Sequence, residues 1–325
     1  MSIKAAFSSS SQIIPIIRET TIPAVKDGHV LIDVIAAGYS NLVKGRARGA
    51  HYSSDGKEAI VGFDGVGKER ESGRLVYFFN FAGGAYAETV SIPQNNIFPL
   101  PAGTDEETGV KVAALANGAV ASILAFQNRI KEVPQNATVA ILGVTGLSGR
   151  LAVQISKNVY GVKKVIGIGR TQEKVDALKE KEPLLDEVIG LDKSDEELKS
   201  GGLLSEVDIV LDFLWGTPAT KILNAMVSSK KVSYNKLTWV QIGQASGSEI
   251  DIPASYLRSV NLEILGSGLG PQPPIALLKA GEECAKILAE GTVGKGIPFK
   301  AIPLSDIAAE WEKPISEPRP VFLIK

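Results

Sequence analysis

The chain has 325 residues, 44% hydrophobic and 22% charged, with a formal net charge of -1 from 35 basic and 36 acidic side chains. That length favours two domains over one and supplies enough apolar material for a full core. Balanced charge without long single-sign runs argues against a nucleic-acid partner, and a single cysteine, Cys284, excludes an internal disulfide and fits a reducing compartment.

The first residues lack the long apolar stretch of a signal peptide, and no run approaches the ~20 apolar residues of a membrane span. The chain therefore reads as cytosolic. From residue 1 to about 115, short β-like runs at 30–35, 74–79 and 87–92 alternate with Gly, Pro and Ser, the texture of an irregular β domain. From about 119 to 265, apolar strands at 138–142, 164–168, 187–191, 207–213 and 238–242 alternate with amphipathic stretches at 148–160, 172–181 and 217–228. Repeated βα units with nearly continuous apolar strands predict a parallel sheet covered on both faces. Pro271, Pro273 and Pro274 then mark a break before a helix-like segment at 275–290. The end, 321–325, reads as a strand that returns to the N-terminal domain.

The strongest chemical signal lies where the strand 138–142 enters a turn containing Gly143, Thr145, Gly146, Leu147, Ser148 and Gly149, with a helix following. The first glycine permits the tight turn, the middle one lets a phosphate approach the backbone, and the last lets helix and strand pack closely. Free N–H groups and the helix dipole favour a pyrophosphate there. The spacing is GxxGxxG rather than GxGxxG, and the plain alternative is a Gly-rich turn with no ligand. An NAD binder places an acid at the end of the second strand. That position is not filled here; Arg170 offers a fork of donors suited to a 2′-phosphate, and Lys174 adds charge one turn later. Glu173 lies between them, and the plain alternative makes both cations solvated charges.

At this point the chain resembles the medium-chain dehydrogenase/reductase superfamily, on its zinc-free quinone oxidoreductase-like branch, over nearly its whole length. Residues 36–41 sit where that family has its first active-site loop. Residues 62–67 resemble its GxExxG turn, 83–90 its GGAYAEYV segment, and 241–247 its nicotinamide-side loop. The resemblance implies an α/β protein with a discontinuous GroES-like β domain (1–118 and 266–325) and a doubly wound Rossmann domain (119–265) that binds NADPH. It implies an active site in a cleft, and commonly a homodimer or tetramer.

The family's catalytic zinc needs Cys and His where this chain has Ser40 and Phe63, and neither a hydroxyl nor a phenyl ring replaces them. Cys284 and His29 read as ordinary residues, and Asp64 as a residue that orients nearby backbone. Metal-dependent alcohol oxidation is therefore disfavoured. Quinones and α,β-unsaturated carbonyl compounds (enones) ask less of the protein, because the cofactor supplies the hard step. Tyr52 is the first proton-donor candidate and His51 the next. Ser40 and Asn41 are candidates to hold a substrate carbonyl. The family's usual Asn at position 40 and acid at position 43 are absent here. On the cofactor side, Asn117, Gly243, Gln244 and Ser246 are nicotinamide candidates. The run from Gly266 and Ser267 to Gly270 either closes over the cofactor or merely connects domains. The competing reading is a low-turnover NADPH-binding scaffold, redox sensor or nucleic-acid binder on the same fold.

Overall fold

The computed structural model describes residues 2–51, 54, 56–130, 132–229 and 234–325. The chain opens with strands β1 (Ser2–Ser8), β2 (Ile16–Thr21) and β3 (His29–Gly38), then helix α1 (Asn41–Ala47). Strands β4 (Ala59–Ile60), β5 (Asp64–Glu69), β6 (Leu75–Phe79), β7 (Thr89–Pro93) and β8 (Ile97–Pro99) lead into helix α2 (Glu106–Asn128). A regular alternation follows: β9 (Thr138–Leu142), α3 (Leu147–Asn158), β10 (Lys164–Gly169), α4 (Gln172–Lys179), β11 (Glu187–Gly190), α5 (Asp195–Ser200), β12 (Ile209–Asp212), α6 (Gly216–Ser229), β13 (Leu237–Gln241), α7 (Tyr256–Ser259) and β14 (Leu262–Gly266). The chain ends with α8 (Pro274–Ala289), β15 (Phe299–Pro303), α9 (Ile307–Trp311) and β16 (Arg319–Leu323).

These elements form two units, one of Met1–Asn117, Gly281–Gly291 and Ile297–Lys325, the other of Gly118–Ala280 and Thr292–Gly296. In the first unit, β1 pairs with β2 and β4 in a small antiparallel sheet, and a larger sheet runs β15-β16-β3-β5-β6-β8 with β7 also on β3. The C-terminal strand pairs antiparallel with β3, with Val321 opposite Gly38 and Leu323 opposite Ala36. Inside lies an aromatic core in which Tyr39 meets Trp311 at 5.3 Å and Phe322 at 5.2 Å between ring centroids. Its buried phenols find acceptors: Tyr39 donates to the Trp311 carbonyl at 2.7 Å, Tyr86 to the Gly38 carbonyl at 2.9 Å, and Tyr77 to the Asp64 carboxylate at 2.9 Å. Asp64 is wholly buried, and burial pushes its carboxyl up to about 6.

The second unit carries a six-stranded parallel sheet in the order β11-β10-β9-β12-β13-β14. The strand order reverses between β9 and β12, the switch point of a doubly wound sheet, where the carboxyl ends of the strands open a crevice. Every residue of β9 is buried, as a central strand covered on both faces requires. One face packs Ile222, Leu223 and Met226 of α6 and Leu198 of α5 against Ala140, Ile166 and Trp239 of the sheet.

Three features differ from the sequence reading. Helix α2 spans the residues around the expected domain boundary; apolar on all sides, it gave no amphipathic period to read. By length and composition it is also long and apolar enough to cross a membrane, which corrects the expectation that no run approaches a span. Of its most apolar window, 78% is buried inside the protein, as in a core helix. Residues 266–280 group with the parallel-sheet unit rather than with the β domain. The cause is β14, which extends the parallel sheet, with Ser267 N–H donating to the Gln241 carbonyl at 2.8 Å and Arg129 reaching the Pro271 carbonyl at 2.6 Å. Residues 292–296 join the same unit through buried Gln154, whose Oε1 accepts from Gly294 N–H at 2.7 Å.

Candidate functional site

The turn from β9 into α3 is shaped by its glycines. Gly143 has φ of +96°, a backbone region that favours glycine. A Cβ on Gly149 would lie 2.4 Å from the Gly143 carbonyl oxygen, so helix and strand approach as closely as backbone allows. Gly146 is different: its φ is -84°, and an added Cβ would meet only the Gly143 carbonyl oxygen, at 3.6 Å. Nothing in the protein's own packing demands a glycine at 146. Gly146 and Thr145 are exposed, and Leu147 and Ser148 are half-buried.

Gly146 caps α3 without a side-chain hydrogen bond, and the first turn holds no acidic residue. By contrast, Thr171 caps α4 and Ser194 caps α5 in a full capping box with three acids in the first turn. The start of α3 thus leaves backbone N–H donors without a side-chain acceptor or acidic neighbour, a place able to hold an anion.

Arg170 follows β10 directly and Lys174 lies in the first turn of α4; both are exposed. Neither side chain hydrogen-bonds or ion-pairs among the described residues. The turn that carries them is tied down by Gln172, whose N–H donates to Asp192 at 2.9 Å and whose Oε1 accepts from Gly190 N–H at 2.9 Å. Thr145 reaches toward this strand end, its methyl 3.1 Å from where a Gly169 Cβ would stand. On the other side of β9, buried Asp212 accepts from Leu214 N–H at 2.8 Å, Trp215 N–H at 2.9 Å and the Trp239 indole at 3.0 Å. Burial pushes this carboxyl above the ordinary aspartate range, while those three donors oppose the shift. Trp215 is held at φ +56° and Gly216 at +62°, so the turn after β12 is sharply folded.

The loop after β13 rests on that turn. Gly243 donates to the Asp212 carbonyl at 3.0 Å and Ser246 to the Leu214 carbonyl at 2.8 Å. A Cβ on Gly243 would stand 2.6 Å from the Phe213 carbonyl oxygen, while Gln244 and Ser246 are exposed. Gly266 is exposed at the end of β14, whereas Ser267 is buried with its Oγ 3.4 Å from Gln272 Nε2. Gly143 to Gly149, Arg170, Gly243 to Ser246, Gly266 and Ser267 therefore all lie at or just beyond the carboxyl ends of the parallel strands. Gly118 packs on α3, its added Cβ 3.0 Å from Leu151 Cδ1, and the preceding Asn117 is half-buried in α2.

In the first unit, Ser40 caps α1: it is buried, and its Oγ accepts from Val43 N–H at 3.3 Å. That acceptor role commits the hydroxyl oxygen and leaves one O–H to donate. Asn41 is exposed at the first helical position. His51 is half-buried, its backbone N–H donating to the Gly45 carbonyl at 3.2 Å. Burial, and then the charge of Arg46, hold its imidazole below the ordinary value. Tyr52 lies outside the described residues. Phe63 belongs to an aromatic cluster with Phe81 at 5.3 Å and Phe79 at 5.6 Å.

No family model matches the sequence. A curated relative, the probable NADPH-dependent quinone reductase tdiC of Emericella nidulans, is 26% identical over 322 residues, spanning 86% of this chain and 88% of that protein. Among solved structures, a putative NADPH:quinone reductase from Bacillus thuringiensis superposes with a TM-score of 0.80 at 15% identity, covering 99% of each chain. The quinone oxidoreductase from Thermus thermophilus gives 0.73 at 21% identity, covering 95% of this chain and 94% of that one. The chain shares the fold of these reductases over nearly its whole length.

Three features that shape the candidate sites escaped the sequence reading. Asp212 was hidden at the end of an apolar strand, where only its place before Phe213, Leu214 and Trp215 marked it. Asp192 and Gln172 sit in a turn whose tie depends on contacts 20 residues apart. Arg46 lies one helical turn from Leu42 and looked like any surface cation.

Proposed function

We infer that this chain is an NADPH-dependent oxidoreductase that reduces quinones or α,β-unsaturated carbonyl compounds without a metal. The observation that carries the reading is the turn between β9 and α3: an uncapped, acid-free helix start beside a glycine that internal packing does not require. The residues present fit the dinucleotide. The N–H groups of Leu147, Ser148 and Gly149 would face its pyrophosphate, and Arg170 and Lys174 its 2′-phosphate. Gly243, Gln244, Ser246, Gly266, Ser267 and Asn117 are assigned to the nicotinamide half. When bound, NADPH supplies a hydride.

A quinone that gains a hydride becomes a hydroquinone monoanion, which takes one further proton from water to become a hydroquinone. His51, kept neutral by burial and Arg46, serves as an N–H hydrogen-bond donor to the acceptor oxygen rather than as a store of protons. Ser40 retains its O–H for the same purpose. Zinc independence is supported by what occupies the positions a zinc would use: a helix cap at Ser40 and an aromatic cluster at Phe63. The quinone side of the reading is supported by the fungal relative's description. The same reading has the protein act in the cytosol as a homodimer.

The test is NADPH oxidation at neutral pH with EDTA present, against an ortho-quinone, a para-quinone and a 2-enal, with NADH in parallel. NADPH-preferring turnover upholds the reading, and the best acceptor ranks the two substrate classes. Binding of NADPH without turnover of any acceptor would move the assignment to a scaffold or sensor. Sedimentation velocity reads the dimer.

A further inference from the structure

The first unit holds a hollow of about 380 Å³ at α1 and β4, within the size range of small-ligand sites. Its charged lining is cationic, from Arg46 and Lys57, and no described carboxylate lines it. Ser8, only 5% exposed, also lines it, and its hydroxyl has no hydrogen-bond partner among the described residues. Phe81, Ile60 and Val61 give it an apolar wall.

Arg46 is held in place from two sides. Its Nη2 donates to the Phe81 carbonyl at 3.0 Å, and its guanidinium carbon lies 5.6 Å over the Phe63 ring. Of five N–H donors, that one bond uses a single one among the described residues. Lys44, on the same helix, instead serves the chain end by donating to the Lys313 carbonyl at 3.2 Å. Half-buried, with no described carboxylate in the hollow it lines, Arg46 has positive charge and spare donors facing a space with an apolar side. A planar guanidinium matches a carboxylate in two parallel hydrogen bonds.

We propose that this hollow binds the carboxylate of a small organic acid with an apolar body, through Arg46 with help from Lys57 and Ser8. Resting on the reductase reading above, the favoured acceptors are then carboxylate-bearing quinones or enones rather than neutral ones.

Two measurements test this separately. Binding of 3-phenylpropionate and of its neutral amide to the full-length protein is followed by calorimetry, without cofactor. The acid binds and the amide does so at least about tenfold more weakly; Arg46→Gln removes that difference. Arg46→Lys, which keeps the charge but not the fork, gives an intermediate loss and serves if Arg46→Gln does not fold. Equal binding of acid and amide, or a difference that survives in both variants, overturns the site. Turnover is then compared for a para-quinone with a propionate side chain and for its methyl ester, which share one ring. A lower KM for the acid in wild type, lost in the Arg46 variants, upholds the acceptor class, and equal KM values overturn it. Acid binding without turnover of either quinone or of a 2-enal upholds the site and overturns the reductase reading.

Discussion

Gly149 sits directly on Gly143, so close that a Cβ on the first would stand 2.4 Å from the carbonyl oxygen of the second and 2.6 Å from Val144 Cα. Gly146, between them, has room. The two alanine substitutions should therefore separate. Gly149→Ala forces backbone apart and destabilises by about 1–3 kcal/mol, read as a lower thermal midpoint. Gly146→Ala folds as wild type and loses NADPH affinity by about tenfold or more, read by NADPH fluorescence. A Gly146→Ala protein that binds NADPH normally would remove the turn from the cofactor site.

Arg170 follows β10 directly and is exposed, and its side chain hydrogen-bonds with no described residue. Arg170→Ala should weaken NADPH by about 1.5–3 kcal/mol, the worth of a charge-assisted hydrogen bond, and leave NADH nearly unchanged. Dissociation constants for both nucleotides decide it, and equal losses would mean that Arg170 does not read the 2′-phosphate.

Ser40 accepts from Val43 N–H at 3.3 Å. Ser40→Ala removes a cap and should cost about 1 kcal/mol. Ser40→Asn keeps a capping side chain and should hold the wild-type stability, since asparagine caps as well as serine. Thermal midpoints of the three proteins are the measurement. No loss in the alanine variant would show that the cap contributes nothing.

Asp64 is buried with its pKa raised to about 6 from the ordinary 3.8. The folded state therefore holds this proton more tightly than the unfolded chain does. Between those two values stability falls as pH rises, by on the order of 2–3 kcal/mol in all, and is then flat with respect to this group. Asp64→Asn has no proton to lose and should be more stable than wild type above about pH 6, with the gap closing as pH falls toward the unfolded value. Thermal unfolding of both proteins across that range checks the sign; a gap that widens in acid would refute it.

The parallel-sheet unit was legible in the sequence because its signals are local. The run 138–142 is uniformly apolar and stops at a glycine, and β9 spans those same residues. The C-terminal strand and its return to the β domain were legible too, as β16 on β3. Helix α2 was not, because a helix buried on all sides carries no stripe. Arg170 is visible by its place after an apolar strand, whereas one of the three donors that fix Asp212 comes from Trp239, 27 residues on. Arg46 needed the Phe81 carbonyl, 35 residues away, to become a fixed cation rather than a mobile one.

The pairing of β16 with β3 also sets an order of events during synthesis. On the edge away from β5, residues 36–38 of β3 pair with residues 321–323, which leave the ribosome long after them. Until then that stretch of strand edge offers open N–H and C=O groups to any other chain. The parallel-sheet unit needs nothing beyond Gly296 and can close first. A premature stop just before residue 321 would thus spare the turn between β9 and α3 and leave the β domain with an unsealed, aggregation-prone edge.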